Sequence, residues 1–359
     1  MNPHLCLLGD ANSVHVRRWA GEMQARGFRV SVVTGRPQPI DGVEQRVVEP
    51  VKRSVDWLLR TAQVRRHLDD LAPDIVHAHY VTSYGYLAAR CGRRPMVMTA
   101  WGSDILVSPR ESRLIRWLTR WILRQADLVT GDSEDLIEAI AEYGPRGRVE
   151  QIHWGVDMTK FRPVPWAEKV GFRVVSLRAW EANYRIDRII EGVALFAGRH
   201  PDAGVHLYLL GGGTQESMLR ALVKELGLTE QVSFVGRVGD VEMVAYLDRC
   251  KASISLPVSD ATSVSVLESM ASGVPVVASD LPANRQWLGD DDGLLIAGGD
   301  SSAVAAALEG LWRDDGRARQ IGSKNNLRMK HEGSRAVQMD AVASLYHQLL
   351  ERKKAGHIA

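Results

Sequence analysis

The chain has 359 residues, 45% hydrophobic and 25% charged, with a formal net charge of +2. That make-up is that of a soluble globular protein and not a nucleic-acid-binding composition, and the length suits two domains. The charge is uneven: residues 1–165 hold 23 Lys and Arg against 19 Asp and Glu, whereas residues 50–124 alone hold 13 against 6, a local basic surface.

Short apolar runs alternate with helix-period segments along the chain, the pattern of a parallel sheet covered by helices. LCLLG (5–9) reads as a first strand, followed by an amphipathic helix through HVRRWAGEMQARG and a second strand, FRVSVVT (28–34). DIVHAH (74–79) and PMVMTAW (95–101) are buried strands, with a helix through YGYLAARCG between them. DLVTGDS (127–133) closes this half, and IHWGVDMTKFRP (152–163) leads out of it towards a linker at Pro163 and Pro165. The pattern then restarts with the strand FRVVSLRAW (172–180), a helix to Pro201, the strand and Gly turn VHLYLLGGG (205–213), and a helix to Gly227. VSFVGRV, ASISLPV and VPVVASD supply further strands, and LLIAGGD with the helix SAVAAALEGLWRD completes the unit. The expectation is an α/β protein of two doubly wound, Rossmann-like domains whose parallel sheets face a central cleft. The expected limits are 1–162, completed by a C-terminal helix over 335–352, and 166–334. Ligands in such sheets bind beyond the carboxyl ends of the strands.

Cys6, Cys91 and Cys250 are isolated and odd in number, which reads as reduced thiols with no metal site. The N-terminus, MNPHLCLLGD, has no basic region followed by a long apolar stretch, and no apolar run reaches the roughly 18–20 residues of a membrane span. A cytoplasmic location is expected.

The stretch SDATSVSVLESMASGVPVVASD (259–280) carries the most chemical information. A strand ends near Val258, and a helix of small residues begins near Thr262 or Ser263, either of which can serve as N-cap. The first-turn N–H groups of Ser263, Val264 and Ser265, with the helix dipole behind them, make an anion site. Glu268 lies beyond that turn, on the Val264 side, where a carboxylate repels phosphate but accepts from vicinal hydroxyls such as those of ribose. Asp260, in the loop before the helix, is placed to accept from a sugar. A strand-end acid and a simple helix cap are the bland alternative.

This stretch resembles the signature of the GT-B retaining glycosyltransferases of the family 4 type, in which an acid is followed after seven residues by Glu, a small-residue helix and a Gly-x-Pro-Val-Val strand. Asp260 stands where the first acid is more often Glu. WGVDMTKFRP, LLGGGTQESMLRALVKELGLTEQVSFVGRV, HAHYVTSYGYLAA and MTAWGSDIL are similar to further elements of that family in the same order, so the resemblance covers nearly the whole chain. It implies a nucleotide-diphosphate sugar as donor, a glycan, glycolipid or small-molecule hydroxyl as acceptor, and no cofactor or metal. It also implies donor contacts from Gly211, Gly212, Gly236, Arg237, the amides of Ala261, Thr262, Ser263 and Val264, and Glu268. The family places an Arg and, five positions later, a Lys on the diphosphate. Arg178 in SLRAWEANYRIDRII fits the first, and Arg185, seven residues on, is the nearest replacement for the second. Gln286 stands where relatives often have Glu.

In the first half, His15, His79 and Asp104 fall at or near strand ends, with Trp101 in WGSD where relatives often carry a histidine that contacts the transferred sugar. His15, Trp101 and Asp104 are expected on the acceptor side, and His79 and Asp104 join Arg178, Arg185, Asp260 and Glu268 as candidates for the chemistry. His77 reads as a satisfied core histidine. Arg113, Arg116, Arg120 and Arg124 recur at helical spacing with Trp117 and Trp121, and with the basic segment 51–68 they offer a peripheral contact for an anionic membrane. A helix with solvated arginines over a buried stripe is the bland alternative there. DDDG (290–293) reads as a solvated turn and not as a metal site. Three other functions compete: a nucleotide-sugar binder without catalysis, a glycoside hydrolase, and a sugar-nucleotide epimerase. The hydrolase fits poorly, because a retaining one needs its carboxylates ~5–5.5 Å apart across one bond.

Overall fold

A computed structural model of the chain describes residues 2–48, 56–260, 262–289 and 294–358. The chain forms two compact units. The first comprises Met1–Trp154 with Ala336–Ala359, and the second Gly155–Arg335. The change of unit falls before Pro163 and Pro165, both of which lie inside the second unit.

The first unit is a seven-stranded sheet, every pair parallel, in the order β3-β2-β1-β4-β5-β6-β7. Its strands are β1 (His4–Leu8), β2 (Arg29–Thr34), β3 (Glu44–Val47), β4 (Ile75–His79), β5 (Met96–Thr99), β6 (Leu128–Gly131) and β7 (Arg148–Gln151). The central strands are buried along their length because helices cover both faces, which is why they read as unbroken apolar runs. β3 (EQRV) and β7 (RVEQ) are edge strands with half-wet polar side chains, and the sequence pattern missed both.

The second unit has six strands, again all parallel, in the order β10-β9-β8-β11-β12-β13. They are β8 (Arg173–Ser176), β9 (His206–Leu210), β10 (Val232–Gly236), β11 (Ala252–Ser255), β12 (Val276–Ser279) and β13 (Leu295–Ile296). In both sheets the strand order reverses next to the first strand, between β1 and β4 and between β8 and β11. These reversals open a crevice at the carboxyl ends of the strands, where doubly wound folds hold their ligands.

The final helix, Arg335–Lys354, buries Met339, Val342, Leu345, Tyr346 and Leu349 in the first unit against Leu5, Leu7, Trp19 and Phe28. Each large apolar side chain fully buried this way contributes about 1.5–3 kcal/mol. A buried polar chain runs through the contact. Trp19 Nε1 donates to the Tyr346 hydroxyl at 2.9 Å, which meets His77 Nδ1 at 2.5 Å; His77 Nε2 meets Thr99 Oγ1 at 2.7 Å, and Thr99 meets Thr130 at 2.6 Å. His77 is therefore a core histidine with both nitrogens satisfied. Because the chain is one connected network, Tyr346→Phe leaves an indole N–H and an imidazole nitrogen buried without partners. The expected loss is about 2–3 kcal/mol in urea unfolding, and an unchanged midpoint would show that the network carries no stability.

Candidate functional site

The second unit assembles a polar cluster at its sheet reversal. Arg178 follows β8 and is buried, with a guanidinium gripped from three directions. Nη2 donates to Asp260 Oδ2 at 2.6 Å, Nη1 donates to the hydroxyls of Ser263 and Ser265, the latter at 3.1 Å, and the plane lies over the Tyr184 ring at 4.2 Å. The helix Val264–Ala271 begins here with Ser263 at its N-cap, but the Ser263 side chain makes no capping bond. Its hydroxyl serves Arg178 and Ser265 instead, leaving the helix-start N–H groups uncapped by it. Thr262, Ser263 and Glu268 are all buried, with Glu268 one turn beyond Val264 on the same side of the helix. Ala261 lies outside the described residues, as do the carboxylates of Asp290–Asp292.

The glycine turn after β9 belongs to the same rim. A side chain on Gly211 would collide with the Arg178 carbonyl, and one on Gly213 would strike Trp180 and the Glu181 carboxylate. Glycine thus lets two strand ends approach backbone to backbone. Gly211 N donates to the Gly236 carbonyl at 2.8 Å, Trp180 N donates to the Gly212 carbonyl at 3.2 Å, and the Arg237 side chain runs alongside Gly212. Glu181 accepts from Thr214 N at 2.9 Å and from Thr214 Oγ1 at 2.5 Å, bonds that hold its carboxyl below the usual range.

Arg185 departs from expectation. It sits at the N-cap of the helix Ile186–Arg199 with left-handed backbone (φ 48°, ψ 45°), and its side chain packs over Gly299 beside Arg188 and Asp300. It does not join Arg178, Asp260 and Ser263. The segment between Arg178 and Arg185 does other work that the sequence reading missed. Besides Tyr184 under Arg178, Asn183 clasps the loop that carries Asp260: its Nδ2 donates to the Ser259 carbonyl at 3.0 Å, its Oδ1 accepts from Ser259 N at 3.3 Å, and its own carbonyl accepts from Val258 N at 2.7 Å. The two extra residues in EANY were the signal. Gln286, after the short helix Pro282–Arg285, is half-buried.

In the first unit, His15 and Trp101 meet in an aromatic cluster with Trp154, which the sequence reading did not single out. His15 lies 4.2 Å from Trp154 and 5.6 Å from Trp101, and Trp101 lies 5.5 Å from Trp154. His79, at the end of β4, is buried against Trp19 at 5.0 Å. Burial, and next the proximity of His15, push its pKa down to about 3, so it is neutral and weakly basic at physiological pH. Asp104 is not available as a hydroxyl ligand. It is fully buried, and its carboxylate accepts from Val81 N at 2.7 Å and from Trp101 N at 2.9 Å, bracing the turns after β4 and β5. Burial raises its pKa to about 6 despite those bonds.

The chain matches two glycosyltransferase families, one in each unit: "Glycosyl transferase 4-like" over residues 4–133 and "Glycosyl transferases group 1" over residues 159–328. EpsD of Bacillus subtilis (strain 168), named a glycosyltransferase, is 28% identical, with 94% of each chain covered. The D-inositol 3-phosphate glycosyltransferase of Nocardia farcinica is 26% identical over 88% of this chain and 80% of its own length. Among solved structures, sucrose-phosphate synthase from Thermosynechococcus elongatus superposes with TM-score 0.79 at 17% identity, covering 98% of this chain and 100% of that one. HepE of Anabaena, in complex with UDP, superposes with TM-score 0.80 at 17% identity, covering 97% and 100%.

The buried histidines make the stability of the first unit sensitive to acid. His79, lowered to about 3, and His77, held well below 6.5 by burial, are both neutral in the fold and protonate in the unfolded chain near 6.5. Their contribution is complete above that value and is lost as pH falls towards the folded value, at about 1.4 kcal/mol per pH unit for each. Asp104 acts in the opposite sense: its raised carboxyl favours the fold as pH falls from about 6 to 3.8. Urea midpoints at pH 7.5 and 5.0 are expected to fall by a net amount that shrinks in His79→Gln. A midpoint that stays level in the parent protein contradicts this assignment.

Proposed function

The chain belongs to the GT-B glycosyltransferases of the family 4 (group 1) type, and on that premise we propose that it is a retaining, metal-independent enzyme. It transfers a hexosyl group from a nucleotide-diphosphate sugar to an acceptor hydroxyl. The observation that carries this reading is Arg178 held on the start of the Val264–Ala271 helix at the reversal between β8 and β11. A guanidinium beside a helix N-terminus concentrates positive charge where a diphosphate leaves, and such fixed electrostatic stabilisation is commonly the largest catalytic contribution. In the proposed step the donor C1–O bond breaks with its electron pair passing to the diphosphate oxygen. The acceptor oxygen bonds C1 from the same face and gives its proton to that diphosphate. No side-chain general base is needed, which accords with a neutral, buried His79 and an engaged Asp104. Glu268 would accept from ribose hydroxyls, and Asp260 from hydroxyls of the transferred sugar once the diphosphate engages Arg178.

The helix Arg113–Leu123 supports a peripheral role at an anionic membrane. Leu114 and Trp117 are 71% and 63% exposed, one turn apart and flanked by exposed Arg113, Arg116 and Arg120, while Thr119, Ile122 and Leu123 anchor the other face. No helix among the described residues is long and apolar enough to cross a membrane. The position of Arg185, away from Arg178, favours a second reading: a nucleotide-sugar binder that does not transfer.

A thermal-shift panel of UDP-, GDP-, ADP- and CDP-sugars is expected to reveal stabilisation by at least one donor. Arg178→Ala should weaken that donor ~30-fold or more, the loss of a buried charge-assisted contact of about 2 kcal/mol or above. With a competent acceptor, NMR of the product should show the donor's anomeric configuration retained, at a rate indifferent to EDTA. Inversion, or a requirement for added metal, contradicts the mechanism; binding without transfer or donor hydrolysis selects the second reading. Vesicle binding insensitive to anionic lipid removes the membrane role.

A further inference from the structure

One turn of chain touches both partners of the Arg178–Asp260 ion pair. Between β8 and the helix Ile186–Arg199, residues Ala182–Tyr184 form a short 3-10 turn. Tyr184 lies over the Arg178 guanidinium at 4.2 Å. Its neighbour Asn183 bonds the loop after β11 at three points. Nδ2 donates to the Ser259 carbonyl at 3.0 Å, Oδ1 accepts from Ser259 N at 3.3 Å, and the Asn183 carbonyl accepts from Val258 N at 2.7 Å. Asp260 is the next residue of that loop, and its Oδ2 accepts from Arg178 Nη2 at 2.6 Å.

The turn is firmly held, whereas the loop has little to hold it. Trp180 is 1% exposed, its N–H donates to the Gly212 carbonyl at 3.2 Å, and its carbonyl accepts from Gln215 N at 3.0 Å. The Glu181 carboxylate accepts from Thr214 N and Oγ1. These bonds fasten the turn to the glycine turn after β9. In the loop, Val258 is 51% exposed and Ser259 is exposed, so apolar burial does little to fix them. Pro257 is anchored, its carbonyl accepting from Ser279 Oγ at 2.7 Å, and from there to Asp260 the loop runs along Asn183. A planar amide that both donates to and accepts from one residue's main chain fixes orientation as well as distance.

We propose that Asn183 is a positioning residue: it keeps the Asp260 carboxylate on Arg178 and so sets how tightly a nucleoside diphosphate is held there. Its bearing on a diphosphate rests on the transferase reading, while the clasp itself is a property of the nucleotide-free chain. A carboxylate fixed in place contests the guanidinium fully, and one on a loosened loop contests it less. Asn183 thus acts against the diphosphate alone and favours its departure once the sugar has been transferred.

The test compares the full-length protein with Asn183→Ala and with Asn183→Leu, which is close in size but has neither donor nor acceptor. Each substitution is also combined with Asp260→Asn, and folding is checked by circular dichroism. Without nucleotide, hydrogen exchange read by mass spectrometry is expected to quicken ~10-fold over Pro257–Asp260 in both single variants and stay level in β8 and β12. In calorimetric titrations of UDP, GDP, ADP and CDP, the nucleotide that binds the parent is expected to bind both variants ~3–10-fold tighter. With Asp260→Asn already present, the Asn183 substitutions should change that affinity by less than about 2-fold. A residue that merely supports the fold would instead weaken the nucleotide in either background. Unchanged exchange, unchanged or weaker nucleotide binding, or an equal effect in the Asp260→Asn background overturns the proposal. If the parent binds a nucleotide and one of those results appears, the inference fails and the transferase reading stands. If no nucleotide or nucleotide sugar binds the parent or any variant, the transferase reading fails, and the exchange rates alone decide whether Asn183 holds the loop.

Discussion

The arrangement of the second unit depends on one guanidinium. Arg178 is buried at a place where a cation is costly unless several acceptors surround it, and Asp260, Ser263 and Ser265 meet that requirement from one loop and one helix start. The consequences spread outward. Ser263 gives up its capping bond to serve the arginine, Asn183 clasps the Asp260 loop, Tyr184 closes the face of the guanidinium, and Gly211 must be glycine to let β9 end against the Arg178 carbonyl. Asp260 fills the part an anionic ligand would take. In the proposed reading, diphosphate binding is an exchange of one anion for another at Arg178.

Much of this architecture was readable in the chain. Strands buried on both faces write themselves as apolar runs, and the glycine turn and the small-residue helix declare themselves by composition, so both parallel sheets and the position of Arg178, Asp260 and Glu268 followed from pattern and resemblance. The failures have specific causes. β3 and β7 lie at sheet edges, where half of each strand meets water and the polar sequences EQRV and RVEQ carry no apolar signal. Arg185 has a suitable charge at nearly the right spacing, but its left-handed backbone at a helix start turns the side chain towards Gly299, a property of φ that residue type does not reveal. Asp104 is an acid in the short helix Ser103–Leu106 just beyond β5, and both of its oxygens face back onto main-chain N–H groups. Sequence identifies which groups can ionise; the surrounding backbone decides whether they are free to act.

The two units solve different electrostatic problems with the same fold. At its sheet reversal the second gathers a buried guanidinium, its carboxylate partner and a helix start whose N-cap side chain makes no capping bond. The first surrounds its own reversal with aromatic rings and a histidine that burial keeps neutral. A parallel sheet provides the crevice in both cases, and the side chains at equivalent strand ends set the polarity of its walls.

Competition between Asp260 and a diphosphate for Arg178 is measured most directly by a double-mutant cycle. Calorimetric titration of the preferred nucleoside diphosphate into the parent protein, Asp260→Asn, Arg178→Ala and the double variant yields the coupling between the two residues in ligand binding. Competition predicts that Asp260→Asn tightens binding when Arg178 is present and has little effect once it is replaced, a coupling of about 1 kcal/mol or more. Additive effects, or weaker binding in Asp260→Asn whichever residue occupies position 178, would contradict the exchange and with it the assignment of Arg178 as the diphosphate seat.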